Sequence, residues 1–275
     1  MRNSNLLAAK INKNDKFFTQ LVDIEKELSH YTDQFKGKVI YCNCDTEESN
    51  FVKYFRNNKT IKKLLYSSND FRDNIELLKQ ADIVVTNPPF SLFREYIAQL
   101  MEHKKKFLVI GNMNAIICKE IFPLIKDDKL WWGYNCVRHF GIPNGKIVEG
   151  ARSFWYTNLS HKNRNEKFIL TKTYKGNKSD YPKYDNYDAI EVSKAINIPK
   201  DFTGIMGVPI TFLDKYNPNQ FKIIWQASGN TRASTDSKIL DRLGYKPHDK
   251  DRGGCGIINN DKRVYSRLLI KHRKN

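Results

Sequence analysis

Long hydrophobic runs are absent from this chain of 275 residues. No stretch reaches the roughly 18 apolar residues needed to cross a bilayer, so the sequence predicts no membrane-spanning helix. The apolar patch Leu6-Leu7-Ala8-Ala9 ends at Lys10 and is too short for a signal peptide. Hydrophobic residues make up 40% and charged residues 28%, a balance that excludes a disordered or fibrous chain. We therefore expect a globular protein with no membrane partner, built as one large domain or as one domain and a small appendage.

Cysteine is also scarce, and the five cysteines are Cys42, Cys44, Cys118, Cys136 and Cys255. Their odd number, without a secretion signal, indicates reduced thiols and therefore predicts a cytoplasmic location. Cys42 and Cys44 lie close together, but no second pair of Cys or His has the spacing of a zinc site. We expect no bound metal.

Acidic residues are in the minority, with 30 Asp and Glu against 47 Lys and Arg and a formal charge of +17. The excess is uneven, because residues 1–159 carry a net charge of +6 and residues 160–275 carry +11. A basic half interleaved with aromatic residues is typical of a surface that follows nucleic-acid phosphates. A lysine-rich surface without a partner explains the same charge, so charge alone leaves nucleic-acid binding open.

Short apolar segments alternate with amphipathic ones along the first half of the chain. Strand character is found at 38–43, 61–66, 81–86 and 107–110, and helical spacing at 20–35, 47–57, 74–80, 91–103 and 115–127. This alternation predicts an α/β fold with a mostly parallel sheet covered by helices on both faces. The apolar runs 130–134 and 153–157 have no helix between them, so we expect them to pair antiparallel. Such folds bind ligands beyond the carboxyl ends of their strands.

The strand that ends at Thr86 is followed by the tetrapeptide Asn87-Pro88-Pro89-Phe90. Because proline lacks a backbone N–H and fixes its own φ, the strand stops here and a rigid tetrapeptide projects from its carboxyl edge. The Asn87 side-chain carbonyl and the Pro88 backbone carbonyl suit the two N–H groups of an exocyclic amine, while Phe90 can stack on its ring. The alternative is a Pro-Pro turn that only starts the next helix.

The chemistry of an exocyclic amine explains why this site needs no strong base and can use an Asn at position 87. The lone pair of such an amine is delocalised into its ring, which makes the nitrogen a poor nucleophile. Accepting both of its hydrogen bonds favours the pyramidal nitrogen that attacks, so the stabilisation is largest at the transition state.

The tetrapeptide resembles the signature of S-adenosylmethionine-dependent amino-methyltransferases, in which Asn/Asp-Pro-Pro-aromatic marks adenine-N6 methylation. The chain is more specifically similar to the EcoRI-type DNA adenine methyltransferases, over 15–20, 23–25, 39–45, 82–96, 183–190 and 204–213. The resemblance covers most of the chain and thins around 134–152 and after 225.

This resemblance implies a Rossmann-like class I methyltransferase sheet flanked by helices, with a smaller basic C-terminal target-recognition region. It implies that residues 1–160 bind S-adenosylmethionine and catalyse the reaction, and that residues 161–275 recognise DNA. The implied activity transfers a methyl group to the N6 amino group of an adenine flipped out of duplex DNA. The implied catalytic residues are Asn87, Pro88, Pro89 and Phe90.

The same resemblance implies where the cofactor binds. Phe18 and Thr19 match a Phe-x-Thr-type segment that approaches the methionine end of the cofactor. The glycine-rich loop that usually follows the first strand is missing, and we expect the side chains of Asn43 and Asp45 to replace its backbone contacts. Asp70 and Phe71 resemble the acidic-aromatic pair that holds the cofactor's adenine, although Asp70 also suits the N-cap of a helix. The acid that binds the ribose is not identified.

The basic second half is expected to grip the DNA. The candidate DNA-binding residues are Arg232, Arg242, Lys246, Lys250 and Arg252, and Asn230 could read adenine. Each of them also fits a phosphate contact or an idle surface charge. The resemblance favours a monomer, and a cognate restriction endonuclease acting separately is a partner that the sequence neither requires nor excludes. Methylation of RNA or of a protein amide, and a catalytically silent DNA-binding relative, stay open as alternatives.

Overall fold

The computed structural model describes residues 18–142, 145–229, 236–251 and 254–273. Contacts within it divide the chain into two units. The first contains the described residues up to Ile121 together with Leu130–Ser160, and the second contains Phe122–Lys129 together with the described residues from His161 onward. The assignment of catalysis to residues 1–160 and of DNA recognition to residues 161–275 stays a prediction.

The described part of the first unit forms a seven-stranded sheet in the order β1-β6-β7-β5-β4-β2-β3. Its strands are β1 (Phe18–Thr19), β2 (Val39–Asn43), β3 (Lys63–Ser67), β4 (Ile83–Thr86), β5 (Lys106–Asn112), β6 (Trp131–Gly141) and β7 (Ile147–Thr157). The neighbours among β3, β2, β4 and β5 pair in parallel. By contrast, β7, β6 and β1 add on as antiparallel strands. The predicted parallel core and the predicted antiparallel pair at its side are both confirmed.

Helices lie on both faces of this sheet. They are α1 (Leu21–Leu28), α2 (Thr32–Phe35), α3 (Asn50–Arg56), α4 (Ile75–Gln80) and α5 (Phe93–Glu102). In β7 the ring of Trp155 contacts Phe51 of α3, and the ring of the next residue, Tyr156, contacts Phe93 of α5. Successive strand residues point to opposite faces, so α3 and α5 cover opposite sides. The predicted Rossmann-like fold, a sheet flanked by helices, is confirmed.

The helix expected over residues 115–127 is not continuous. The chain instead forms a 3₁₀ helix at Met113–Ile117 and then α6 (Phe122–Lys126). Pro123 is the physical reason, because proline is tolerated only in the first turn of a helix and disfavours helical backbone before it. Phe122 packs edge-to-face against Trp225 with ring centroids 5.4 Å apart, so α6 belongs to the second unit although its residues were expected in the first.

The second unit is built on a smaller sheet. Its remaining elements are β8 (Ala189–Glu191), β9 (Ile205–Pro209), β10 (Phe221–Ala227), α7 (Ser237–Arg242), β11 (Ile258–Asn259), β12 (Lys262–Arg263) and β13 (Arg267–His272). The sheet order is β10-β13-β9-β8, and β11 pairs with β12 in a separate hairpin. Arg267 on β13 forms a largely buried ion pair with Glu191 on β8, with Nη2 2.8 Å from Oε1. Among the described residues of the chain, no helix is long and apolar enough to cross a bilayer.

A buried carboxylate stabilises an irregularity in β6. The pairing of β6 with β7 shifts between Trp132 and Cys136. Glu27 of α1 accepts hydrogen bonds there from the backbone N–H groups of Tyr134 and Asn135, both at 2.8 Å. A side chain at Gly133 would meet the Glu27 carboxylate, since a Cβ built there lies 2.0 Å from Oε1. Glu27 therefore replaces hydrogen bonds that the bulged strand cannot make.

We expect Glu27→Ala to lower the free energy of unfolding by about 2–4 kcal/mol, because two part-buried N–H groups lose their acceptor. Urea denaturation measures the change. Glu25→Ala is the matched control, since Glu25 lies exposed on the same helix and should change stability by about 0.5 kcal/mol or less. Equal effects of the two substitutions would contradict this role of Glu27.

Candidate active site

A cavity of about 530 Å³ opens at the carboxyl ends of β2, β3 and β4 in the first unit. Its wall is formed by β1, by the turns that follow β2 and β3, and by the segment after β4. This is the edge of the sheet at which the sequence predicts ligand binding.

The cavity collects almost all of the residues predicted for catalysis and cofactor binding. The lining residues among them are Phe18, Thr19, Asp45, Asp70, Phe71, Asn87, Pro88, Pro89 and Phe90. They come from four separate segments of the sequence, and the parallel pairing of the strands brings these segments together. Their individual roles stay predictions.

Asn43 is the exception. It is fully buried at the end of β2, and it is not among the residues that line the cavity. Its side-chain Oδ1 accepts hydrogen bonds from the Cys44 backbone N–H at 2.9 Å and from the Tyr41 hydroxyl at 3.1 Å. Tyr41 and Asn43 lie on the same face of the strand, two residues apart, which turns Asn43 inward. Asn43 therefore holds the turn from inside the protein, and its assignment to the cofactor stays a prediction.

The turn after β2 reaches its shape without glycine. Cys44 adopts a left-handed backbone conformation with φ of 66°, which glycine adopts readily and other residues rarely do. Its side chain lines the cavity, and burial raises the pKa of its thiol to about 12, with Asp45 and Asp70 adding to the shift. The missing glycine-rich loop is thus replaced by a strained cysteine and by side chains in the wall.

The tetrapeptide both lines the cavity and starts a helix. Pro88 is buried, whereas Asn87, Pro89 and Phe90 are half-buried. The Pro89 carbonyl accepts the backbone N–H of Leu92 at 3.0 Å and opens a 3₁₀ turn that leads into α5. The Phe90 ring packs edge-to-face on Phe140, with centroids 5.9 Å apart. The two interpretations of this motif, a helix-starting turn and a binding site, are therefore compatible.

Thr86 joins the tetrapeptide to the turn after β2. Backbone pairing of β2 with β4 ends at Tyr41 and Val84. Beyond that point, the Thr86 hydroxyl donates to the Asn43 backbone carbonyl and lies 2.7 Å from Oδ2 of Asp45. Burial raises the pKa of Asp45 to about 7, against the lowering effect of hydrogen bonds from the Thr86 and Ser49 side chains.

The Asp70 carboxylate accepts hydrogen bonds from Arg72, two residues later in the chain. Its Oδ1 accepts the Arg72 backbone N–H at 3.0 Å and Arg72 Nε at 2.8 Å, which holds the pKa of this carboxyl below its usual range. The N-cap alternative is therefore observed, at a 3₁₀ helix over Phe71–Asp73. Phe71 is only 2% exposed and packs edge-to-face on Tyr96, so most of its ring serves the core.

Several polar residues of this wall were not singled out from the sequence, among them Ser49 and Asn50. The Ser49 side chain caps α3 by accepting the Val52 backbone N–H at 3.2 Å. Asn50 Nδ2 donates to the Thr19 carbonyl at 2.8 Å and so fixes β1 beside the cavity. A Ser just before a helical segment is a signal that could have identified the cap, whereas nothing local in the sequence indicates the contact of Asn50 with Thr19.

Comparison with known proteins decides the family. The model of a family described as adenine-specific methyltransferase EcoRI matches residues 5–68, 59–152 and 143–273. The chain belongs to this family. The predicted resemblance is confirmed, and as a member of the family the protein is an adenine-specific methyltransferase.

Individual relatives of this methyltransferase match it over nearly its whole length. The type II methyltransferase M.EcoRI of Escherichia coli is 41% identical over 99% of this chain and 97% of its own. The type II methyltransferase M.MpnI of Mycoplasma pneumoniae is 37% identical over 97% of this chain and 98% of its own. A solved protein-(glutamine-N5) methyltransferase from Alicyclobacillus acidocaldarius aligns with 50% of this chain and 90% of its own at 16% identity and a TM-score of 0.31, too low to bear on function.

Charges in the cavity wall of this methyltransferase have one sign. Asp45, Glu48 and Asp70 line the cavity, and among its described lining residues there is no Lys, Arg or His. Opposite charge stabilises a ligand in a partly desolvated site more than it does in water. The wall therefore suits a ligand that carries positive charge.

The residues predicted to bind DNA are only partly described. Arg242, at the last turn of α7, and Lys246 and Lys250 are exposed in the second unit. Lys250 forms an ion pair with Asp261, which offsets part of its charge. Arg232, Arg252 and Asn230 lie outside the described residues. Among the described residues predicted to bind DNA, Arg242 and Lys246 are exposed cations that form no ion pair with an acidic residue.

Replacing Cys44 tests the strained turn of the methyltransferase. We expect Cys44→Gly to have a free energy of unfolding about 1 kcal/mol higher than that of Cys44→Ala, because alanine keeps the unfavourable left-handed backbone and glycine does not. Thermal unfolding of the two variants measures the difference. Equal stabilities, or a more stable alanine variant, would show that the turn carries no such strain.

Proposed function

We propose that this methyltransferase transfers a methyl group from S-adenosylmethionine to the N6 amino group of an adenine flipped out of duplex DNA. The observation that carries the proposal is the position of the tetrapeptide Asn87-Pro88-Pro89-Phe90 in the wall of the same cavity as Thr19, Asp45 and Asp70. A methyl acceptor held by the tetrapeptide and a cofactor held by Thr19, Asp45 and Asp70 would be neighbours.

The residues of the cavity fit the cofactor. S-adenosylmethionine supplies a methyl group activated by a sulfonium cation. Three carboxylates suit its positive charge and the hydrogen-bond donors of its sugar and purine. We assign Phe18, Thr19 and Asp45 to the methionine end, and Asp70 with Phe71 to the adenosine end. Asn43 supports the turn from behind.

The tetrapeptide would prepare the acceptor amine. The Asn87 side-chain carbonyl and the Pro88 backbone carbonyl accept its two N–H groups, and Phe90 stacks on the purine. Among the described residues the Pro89 carbonyl is already used by Leu92, whereas no hydrogen bond to the Pro88 carbonyl is formed. With the amine held in this way, its nitrogen would face the methyl group that S-adenosylmethionine would supply, the sulfur would leave as a neutral thioether, and one N–H proton would be released to water. No strong base is required, since the proton is acidic once nitrogen is alkylated.

We expect Asn87→Ala to lower the rate of methyl transfer by about a hundredfold or more, because the lost acceptor acts mainly in the transition state. Cofactor affinity should stay within about twofold, since that ligand is assigned to other residues. Incorporation of tritiated methyl groups into duplex DNA and calorimetric titration measure the two quantities. Asn87→Asp keeps an acceptor oxygen and serves as the matched control, with a smaller loss of rate.

Side-by-side incubation with duplex DNA, RNA and protein separates this proposal from its alternatives. Label in adenine of duplex DNA supports the proposal. Label confined to RNA or to a protein amide would contradict the substrate, and DNA binding without transfer to any substrate would indicate a catalytically silent relative. Wild-type transfer by Asn87→Ala would contradict the assigned chemistry.

The second unit would hold the DNA while the base is flipped. Arg242 and Lys246 are exposed and can neutralise phosphates, which fixes the register of the duplex. Lys250, with its charge partly offset by Asp261, would contribute less. Arg232 and Arg252 are proposed on the sequence alone. A DNA substrate places the reaction in the cytoplasm, and we propose that the enzyme acts as a monomer, with any cognate endonuclease acting separately.

We expect Arg242→Ala and Lys246→Ala each to reduce the slope of log affinity against log salt concentration by about one, as one phosphate contact is lost. Lys250→Ala should have a smaller effect. Fluorescence anisotropy with a duplex oligonucleotide at several salt concentrations measures the slopes. Lys36→Ala, which removes an exposed cation of the first unit, is the control and should leave the slope unchanged.

A further inference from the structure

Asp45 is a buried acid in the cavity wall to which the described residues supply no cation. It is only 9% exposed, and among the described residues no Lys, Arg or His forms an ion pair with it. The other two carboxylates of the wall differ in this respect, because Glu48 pairs with Lys53 and Asp70 pairs with Arg72. A carboxylate kept from water without a partner is unfavourable unless it is protonated or a ligand supplies the opposite charge.

The hydrogen bonds around Thr86 provide a place for that proton. The Thr86 hydroxyl contacts both the Asn43 backbone carbonyl and Oδ2 of Asp45. The carbonyl can only accept, and a hydroxyl has one proton to donate. A proton on the Asp45 carboxyl satisfies the second contact, with Thr86 as its acceptor. The neutral acid therefore completes this hydrogen-bond chain when no cation is bound.

In the part of the chain that the structure describes, the groups that face Asp45 from neighbouring elements add no positive charge. Cys42 and Cys44 lie on β2 and the turn after it, and Tyr96 lies on α5. The nearby Ser49 and Thr86 hydroxyls carry no charge. Burial raises the pKa of Asp45 to about 7, so the carboxyl changes its charge near neutral pH.

We infer that Asp45 makes this cavity prefer the positively charged methyl donor to the neutral thioether product. The inference rests on the proposed function, because it takes the cavity as the cofactor site. S-adenosylmethionine and S-adenosylhomocysteine share the amino acid, the sugar and the purine, and they differ by the sulfonium charge and its methyl group. An ionised Asp45 attracts the positive sulfonium of the donor, whereas the neutral thioether of the product offers it no charge. Loss of the methyl group therefore weakens binding and favours product release.

The preference of the cavity for the donor over the product must increase with pH. Below the pKa of Asp45 the neutral acid does not distinguish the two ligands by charge. Above that pKa the carboxylate favours the donor, so the ratio of donor to product affinity rises with pH. By linkage, binding of the donor stabilises the carboxylate and releases a proton when the pH lies near or below the pKa of the free site.

Calorimetric titration with both ligands tests the inference on the full chain. For the wild type we expect the ratio of donor to product affinity to rise about fivefold between about pH 6 and about pH 8, which is the part of the tenfold change from a one-unit pKa shift that falls in this range. Titrations in buffers of different ionisation enthalpy should show more protons released on binding of the donor than of the product. Neither readout requires turnover or DNA.

Two variants separate charge from structure. Asp45→Asn keeps the hydrogen-bonding capacity of the protonated acid and should make the affinity ratio independent of pH. Glu48→Gln removes a carboxylate from the same wall, but Glu48 is 83% exposed and paired, so it should keep the wild-type pH dependence. Circular dichroism of both variants checks folding, and Asp45→Glu provides a second variant with a titrating acid at this position.

The outcomes distinguish the inference from the proposed function. Binding of both ligands with a ratio that does not change with pH, or a pH-dependent ratio that persists in Asp45→Asn, would overturn the role of Asp45 and leave the cofactor site intact. Failure of the wild type to bind either ligand would overturn both.

Discussion

The site depends on how the ends of two neighbouring strands are joined. Backbone pairing between β2 and β4 stops before Thr86, and Pro88 and Pro89 can donate no hydrogen bond to extend it. The Thr86 hydroxyl bridges the gap by reaching the Asn43 carbonyl and the Asp45 carboxyl. Two turns that the proposed function assigns to different reactants are thereby held together by one side chain.

Side chains take the place of the glycine-rich loop that the sequence resemblance implies after the first strand of the parallel sheet. The turn after β2 has no glycine, and Cys44 accepts the left-handed conformation instead. Asn43 holds this turn from inside the protein, while Asp45 faces the cavity. The result is a wall with negative charge at fixed positions, which favours a cationic ligand by electrostatics where a glycine-rich loop relies on close approach of the backbone.

The sequence predicted those features that depend on local pattern. β4 and the tetrapeptide were predicted because an apolar run followed by two prolines has few other structures available. The features that the sequence did not indicate depend on tertiary contacts and on the shape of a tight turn. Asn43 faces inward, where its Oδ1 accepts hydrogen bonds from the Tyr41 hydroxyl and the Cys44 N–H, and Cys44 adopts the left-handed conformation of the turn. The β6 segment extends past its apolar run because Glu27, over a hundred residues earlier, satisfies the bulge at Tyr134. The prediction of one continuous helix over 115–127 is wrong at Pro123, a local signal that was present in the sequence and was given too little weight.

The position of α6 affects how the chain could be divided or recombined. The chain leaves the first unit after Ile121, returns at Leu130 and leaves again after Ser160. A fragment truncated after Ser160 would therefore keep Phe122 and discard Trp225, the ring against which it packs. Exchange of residues 161–275 between relatives by a single crossover would likewise combine α6 from one parent with the β10 surface of the other. Chimeric enzymes of this family would need two transplanted segments, with α6 travelling together with the C-terminal part.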